Sequence, residues 1–512
     1  MIRRLRALGS RPSGGGSLST RTLGLMIAKT FAFACSFALP LLLVRRLNQA
    51  EFGLYKQVFL VVGTAVVVLP LGFGTASAFY FLPRERERQR AVVFNVLLFN
   101  LAIGLLSLGV LTAWPSLLAH VFGDAALVPM APMIGGLILL LIVAASPEFL
   151  AVANGETTLA TVFILVSQLS RTALLVGAAL AVGTVRALVW AAIAHALVQC
   201  TVLLVYLHAR WRGFWRTVDW GMLRAQLAYA LPLGSAGLLW SLQTDLHQYI
   251  VSHRFGPAAY AVYAVGCFQF PLVLILSDSA ASVMIPHISA LQKAGDHREI
   301  LALTARALRK LALAFFPAYA LLLVTGPELI TFLFTAQYRS SWPIFAVNLT
   351  LLPVSAVLFD PIVRAYASQR YFLLRLRLVL YPLSAVALWL ATGRFGLIGA
   401  IAVVVGVSLL ERAIIFVRLG RLLGVRRADL SLLAGTARIA LAAGAAGAAA
   451  ALVRLALAGD RPFTILAVCG AVFAAVYAGA IAALGVLTRE ERAIIARPLA
   501  TLQRRAAADR AA

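Results

Sequence analysis

The stretch RRLNQAEFGLYKQV, residues 45–58, lies between two long apolar runs, and a similar stretch, HRFGPAAYAVYAVG, occupies residues 253–266. Aligned without gaps, the two stretches match in character at these pairs: Arg46 with Arg254, Ala50 with Ala258, Phe52 with Tyr260, and Tyr55 with Tyr263. Self-similarity at a fixed spacing indicates a chain built from repeated units. The alternative is that such residues recur at the helix ends of any membrane protein, because they anchor helices at the interface.

The composition places the chain in a membrane. It is 62% hydrophobic and 12% charged, whereas soluble domains are about half apolar and a quarter charged. Long runs of Leu, Val, Ala and Phe without two-residue alternation predict helices rather than strands of a barrel. The expected fold class is therefore all-α, a polytopic membrane protein.

The apolar runs are long enough to cross a bilayer, which takes about 20 residues each. Fourteen spans are predicted: 22–44, 56–80, 91–113, 127–150, 159–182, 186–208, 227–251, 258–284, 311–335, 342–367, 371–392, 396–418, 431–457 and 463–486. With the N-terminus in the cytoplasm, roughly 31 of the 45 Lys and Arg residues fall in cytoplasmic segments, as the positive-inside rule requires. Both termini are therefore predicted to be cytoplasmic.

An even number of spans separates the two similar stretches, so the blocks that carry them have the same orientation. This is the parallel repeat found in many transporters. The predicted organisation is a disordered cytoplasmic tail at 1–21, a six-helix lobe at 22–208, an interfacial linker at 209–226, a six-helix lobe at 227–420, two additional spans within 431–486, and a cytoplasmic tail at 487–512.

Several classes of function lack their sequence signals. The chain has no GxxxxGK[ST] phosphate loop, no HExxH metal motif and no GxSxG nucleophile elbow. The four cysteines lie in apolar segments without metal-ligand spacing. The net charge of +26 comes from short basic clusters between spans, which indicates membrane orientation rather than nucleic-acid binding. We therefore expect neither an enzyme nor a cofactor nor a bound metal.

Among the basic residues inside predicted spans, where a charge is costly and points to function, two are the first candidates for a cavity. Lys29 lies about two turns into the first span, and Arg171 is central in the fifth. Either side chain can line a polar cavity. The alternatives are that Lys29 reaches the interface along its apolar stem and that Arg171 bonds neighbouring carbonyl groups.

Three acidic residues are candidates for coupling transport to a cation or proton. They are Asp245, Asp278 and Asp360. Each has a local alternative: pairing of Asp245 with Arg254 or a loop amide, a serine network around Asp278, and neutralisation of Asp360 by Arg364 at i+4. Two further acidic residues, Glu148 and Glu328, lie beside prolines and are expected at helix ends.

The stretch RRLNQAEFGLYKQ and the later segment LPLGSAGLLWSLQTDLHQYIVSHRFGPAAYAVYAVGCFQFPL resemble the polysaccharide transporter family, the bacterial flippases of lipid-linked oligosaccharides such as O-antigen units. The resemblance implies the fold of the multidrug/oligosaccharidyl-lipid/polysaccharide flippase superfamily and residence in the inner membrane. It also implies an undecaprenyl-diphosphate oligosaccharide as substrate. A cationic cavity is implied as well, and Lys29, Arg171 and Arg364 match it in character and depth.

Partners implied by the resemblance are membrane lipids, the lipid-linked oligosaccharide, a cation or proton, and the glycan polymerase and export proteins of O-antigen, lipopolysaccharide or exopolysaccharide synthesis. The rival functions are a multidrug/cation antiporter of the same superfamily, a membrane glycosyltransferase or polymerase, and a scaffold subunit of an export complex. The short external loops weigh against a glycosyltransferase, which usually needs a sizeable extramembrane domain.

Overall fold

The computed structural model describes residues 30–31, 34–216, 218–366 and 368–486. These residues form helices and connecting segments, and no strand occurs among them. The chain divides into two compact units, Met1–Val265 and Gly266–Ala512. The predicted all-α fold class is confirmed.

The first unit contains ten helices: α1 Ala34–Leu43, α2 Gln49–Val68, α3 Phe73–Phe81, α4 Gln89–Ala113, α5 Ser116–Phe122, α6 Ala131–Ala144, α7 Ser146–Ala153, α8 Thr157–Ala181, α9 Val185–Arg210 and α10 Trp220–Gly266 among its described residues. The second contains α11 Pro271–Ala294, α12 His297–Phe334, α13 Trp342–Leu349, α14 Leu351–Val354, α15 Asp360–Ala365, α16 Gln369–Leu423, α17 Ala434–Ala456 and α18 Pro462–Ala483. Short 3-10 turns lie at Arg86–Arg88, Ala125–Met130, Phe214–Arg216, Ala336–Ser341 and Arg427–Leu433.

Within the described residues, 10 helical segments are long and apolar enough to cross a membrane. One of them holds two predicted spans, because α16 is two helices joined at Gly396, where the backbone is not helical. Three predicted spans have no counterpart among these segments. The span at 22–44 is described only in part, the span at 227–251 lies inside α10, and the span at 342–367 is broken into α13, α14 and α15.

Both copies of the similar stretch begin a helix at the same point. In the first copy, the Asn48 side chain accepts a hydrogen bond from Glu51 N at 2.9 Å and caps α2. In the second copy, the equivalent residue is Gly256, which adopts φ 76° between two helical parts of α10. Glycine suits this position because it enters that backbone region without a steric penalty. The two copies therefore agree in backbone role as well as in sequence.

Helix α10 runs antiparallel to α2. Three pairs of residues mark the contact with α2, Gly53 with Pro257, Gln57 with Ser252 and Thr64 with Asp245, and a fourth joins Gly234 to Leu71 in the turn that follows α2. A Cβ on either glycine would overlap a backbone carbonyl group of the opposite element. The buried Gln57 Nε2 donates to Ser252 Oγ at 2.9 Å. We call this contact the α2–α10 seam.

The α2–α10 seam explains where the two units divide. Because α10 packs along α2, the residues up to Val265 cluster with the first unit, rather than separating at the predicted linker 209–226. The predicted lobe boundaries remain a proposal based on the repeat. The aromatic residues matched between the two stretches are all buried: Phe52, Tyr55, Tyr260 and Tyr263. They pack inside the protein instead of lying at a lipid interface.

In the second unit, α17 and α18 pack against α12. Small residues allow close contact, since a Cβ at Gly447 would lie 3.4 Å from the Ala320 side chain. An ion pair also joins these helices, because Arg454 Nε and Nη2 donate to the same oxygen of Glu328 at 3.2 and 3.0 Å. The expectation that Glu328 lies at a helix end is wrong: it lies inside α12, about two turns before Phe334.

Removing the Glu328 carboxylate is expected to loosen α17 from α12. Breaking a buried pair leaves an uncompensated charge, and the partial exposure of Arg454 reduces the cost to about 1–3 kcal/mol. Glu328→Gln should therefore lower the thermal midpoint of purified protein, whereas adding Arg454→Gln should recover part of the loss. If the destabilisation of the double variant equals the sum of both single changes, the two residues are not a coupled pair.

Candidate functional site

A cavity of about 760 Å³ lies in the first unit among α1, α2, α6, α7, α8 and α9. Its walls carry apolar residues together with a set of polar ones: Ser36, Tyr55, Glu148, Ser167, Gln168, Arg171, His195 and Gln199. Ligand pockets commonly have this size and combine apolar walls with a few polar groups. We call it the N-unit cavity.

Helical spacing brings the polar residues of α8 and α9 to the cavity. On α8, Ile164, Gln168 and Arg171 recur at intervals of four and three and share one face. On α9, His195 and Gln199 are four residues apart and both are buried. The polar wall is therefore continuous across two adjacent helices.

Arg171 is exposed, although it lies in the middle of a helix that crosses the membrane. No described residue forms a hydrogen bond or ion pair with its guanidinium group. Tyr55 and His195 line the same cavity. The alternative of a bond to neighbouring carbonyl groups is not observed among the described residues, which leaves the five donors of the guanidinium group open to a ligand.

A hydrogen-bond network fixes the wall beside Arg171. Ser170 Oγ lies 3.0 Å from His195 Nδ1 and accepts from Gln199 Nε2 at 3.5 Å. On the same helix, Gln168 Nε2 donates to Thr172 Oγ1 at 3.3 Å. These contacts restrict the rotamers of both glutamines and of the imidazole.

Glu148 reaches the cavity through a break in a membrane span. Helix α6 ends at Ala144, and Pro147 occupies the first turn of α7, as proline can because it needs no amide donor there. Glu148 follows in the same turn and is half-buried. The expectation of a helix-end position is correct, but the sequence did not indicate that this end lies inside a continuous apolar span and faces a cavity.

The other predicted site residues that the structure describes do not line this cavity. Lys29 lies outside the described residues. Arg364 Nε pairs with Asp360 Oδ2 at 2.7 Å in the second unit, which is the i,i+4 neutralisation considered above. Asp278 is exposed on α11, and Ser282 bonds its backbone carbonyl oxygen.

Asp245 belongs to the α2–α10 seam. Thr64 Oγ1 donates to its Oδ2 at 2.8 Å, so its observed partner is a hydroxyl group on another helix. The neighbouring His247 lies 2.8 Å from the Tyr263 hydroxyl group through Nδ1. The polar residues near this end of α10 therefore hold helices together.

The second unit contains an apolar cavity of about 500 Å³. It lies between α12 and the small-residue face of α17, with Pro353 of α14 completing the wall. No charged residue is among those that line it.

Comparisons with known proteins agree with this architecture. The sequence profile of a family described as polysaccharide biosynthesis protein matches residues 42–343. The fold is similar to a lipid II flippase in an inward closed conformation, with 13% identity, 89% of this chain and 97% of that chain covered, and a TM-score of 0.68. No curated protein sequence matches the chain significantly.

Two other solved structures are similar in fold. An inward-facing multidrug resistance MATE family transporter shares 13% identity over 78% of this chain and 95% of its own, with a TM-score of 0.59. A transporter from Pyrococcus furiosus, described as having a binding pocket of reversed polarity, shares 14% identity over 80% of this chain and 94% of its own, with a TM-score of 0.52. At these identities the likeness establishes the fold alone.

Proposed function

This chain belongs to the polysaccharide biosynthesis protein family, and on that premise we propose that it is a flippase for a lipid-linked oligosaccharide. It would move an undecaprenyl-diphosphate glycan from the cytoplasmic to the periplasmic leaflet of a bacterial inner membrane by alternating access. The glycan would serve O-antigen, lipopolysaccharide or exopolysaccharide synthesis, with a polymerase and export proteins acting on the product.

The observation that carries this proposal is Arg171, which lines the N-unit cavity and has no hydrogen-bond or ion-pair partner among the described residues. A guanidinium group held at membrane depth without a protein partner is costly. An anionic ligand offsets that cost, because charge-assisted hydrogen bonds to phosphate are strong and are strengthened where water is excluded. Lys29 and Arg364 are proposed as further contributors to the binding of the diphosphate.

The main rival is a multidrug/cation antiporter. The unpaired positive charge of Arg171 opposes binding of a cationic drug in the N-unit cavity, and Glu148 is the only acidic residue among the described residues that line it. If transport is coupled to a cation or proton, Asp245, Asp278 and Asp360 are the proposed acidic participants. Of these, Asp245 is placed to act on the α2–α10 seam through Thr64.

The test is leaflet translocation in proteoliposomes that contain the purified full chain and a fluorescent undecaprenyl-diphosphate oligosaccharide. A membrane-impermeant quencher reports how much label has changed leaflet. We expect translocation faster than in protein-free vesicles and no movement of a cationic dye. Export of the dye without glycan translocation would establish the antiporter function instead.

A further inference from the structure

We infer that Gln168, His195 and Gln199 form a sugar-binding subsite in the N-unit cavity, distinct from the diphosphate position at Arg171. The inference rests on the proposed function and deepens it, because it assigns the glycan and the diphosphate to different residues. The argument begins with the hydrogen-bonding capacity that each side chain retains after its internal bonds.

Each of the two glutamines donates one internal hydrogen bond and leaves its amide oxygen unused. Gln168 Nε2 donates to Thr172 Oγ1, and Gln199 Nε2 donates to Ser170 Oγ. Neither amide oxygen has a partner among the described residues, and neither belongs to their fully enclosed polar atoms without a partner. Both residues line the cavity, so each offers it a hydrogen-bond acceptor.

The two free amide oxygens cannot bind an ionised diphosphate, whose oxygens are themselves acceptors. They can bind sugar hydroxyl groups and the amide of an N-acetyl sugar, because these carry donors. His195 contacts Ser170 Oγ through Nδ1, which leaves its second ring nitrogen available to bind the same sugar groups. Arg171 on the same wall offers only donors and is complementary to the diphosphate.

Aromatic rings complete the chemistry expected of a sugar site. Tyr55 and Phe59 line the cavity with ring centroids 4.7 Å apart, and Phe163 lines it as well. Their faces are suited to the apolar C–H surface of a sugar ring, while the amide oxygens pair with its hydroxyl groups. Among the described residues, the cavity thereby combines aromatic rings, hydrogen-bond acceptors and the Arg171 cation.

The experiment measures the affinity of full-length protein in nanodiscs for two probes, undecaprenyl diphosphate and undecaprenyl diphosphate carrying N-acetylglucosamine. The double variant Gln168→Met, Gln199→Met keeps side-chain length and removes both acceptors. We expect it to bind the sugar-bearing probe about tenfold more weakly and the bare probe unchanged, as loss of a few hydrogen bonds predicts. Thr201→Val, on the exposed side of α9, is the matched control.

Equal weakening of both probes, or of neither, by the double variant overturns the sugar subsite. The Gln199→Met single variant and a thermal melt separate local loss of binding from a general loss of fold. Arg171→Gln tests the proposed function itself and should weaken both probes. If wild-type protein binds neither probe, the flippase proposal fails together with the subsite. If wild-type protein binds both probes but the double variant does not selectively weaken binding of the sugar-bearing probe, the flippase proposal stands and the sugar subsite fails.

Discussion

Arg171→Gln is expected to reduce glycan translocation by about 10- to 100-fold, the range predicted for loss of charge-assisted hydrogen bonds to a phosphate group. The substitution removes the charge that an anionic headgroup would meet in the N-unit cavity. Because Arg171 has no hydrogen-bond or ion-pair partner among the described residues, its removal leaves no orphaned charge behind. The thermal midpoint should therefore remain at or above the wild-type value.

Two further variants give this prediction its controls. Arg171→Lys keeps the charge but loses the planar fork of donors, so activity should recover in part. Arg186→Gln removes an exposed arginine of the neighbouring α9 that does not line the cavity and should translocate at the wild-type rate. Wild-type activity in Arg171→Gln would remove this residue from the mechanism.

Gly53→Ala and Gly234→Ala are expected to disrupt the α2–α10 seam. At each position a Cβ would overlap a backbone carbonyl group, of Pro257 and of Leu71 respectively. Backbone atoms cannot rotate away as a flexible side chain can, so the helices must separate. Overpacking of this kind costs about 1–3 kcal/mol, and the lost seam contacts add to it.

The first measurement is the thermal midpoint of the purified protein. The second is the translocation rate of the fraction that remains folded. Gly109→Ala on α4 is the matched control, since a Cβ there meets no atom within 4 Å. We expect a large drop in the thermal midpoint for both seam variants and no drop for the control. Seam variants with the wild-type midpoint and rate would show that α2 and α10 separate without cost.

Composition and periodicity predicted much of this fold. The helical class follows from long apolar runs. The repeated stretch was interpreted as a connection between helices, and the structure places a helix start within each copy, after Asn48 and after Gly256. The packing of α10 along α2 could not be predicted in this way, because residues about 160 to 200 positions apart form it. Local pattern contains no information about such distant pairing.

The only residue of the candidate site that the sequence predicted is a charged one. Arg171 stood out because a guanidinium group is rare at membrane depth. The neutral residues Gln168, His195 and Gln199 line the same cavity. The sequence pattern that could have indicated them is helical spacing, three residues from Gln168 to Arg171 on α8 and four from His195 to Gln199 on α9. Glu148 was missed as a cavity residue because the span Ala125–Ala153 is apolar on both sides of its break.

The backbone contacts of the α2–α10 seam also bear on electrical insulation. Where Gly53 meets Pro257 and Gly234 meets Leu71, no layer of side chains separates the two elements, which leaves no room for water at these two points. Across an energised membrane each elementary charge is driven by about 2.3 kcal/mol per 100 mV. The flippase proposed above would have to admit a large headgroup without conducting protons, and the two glycines exclude water at these two points of the seam.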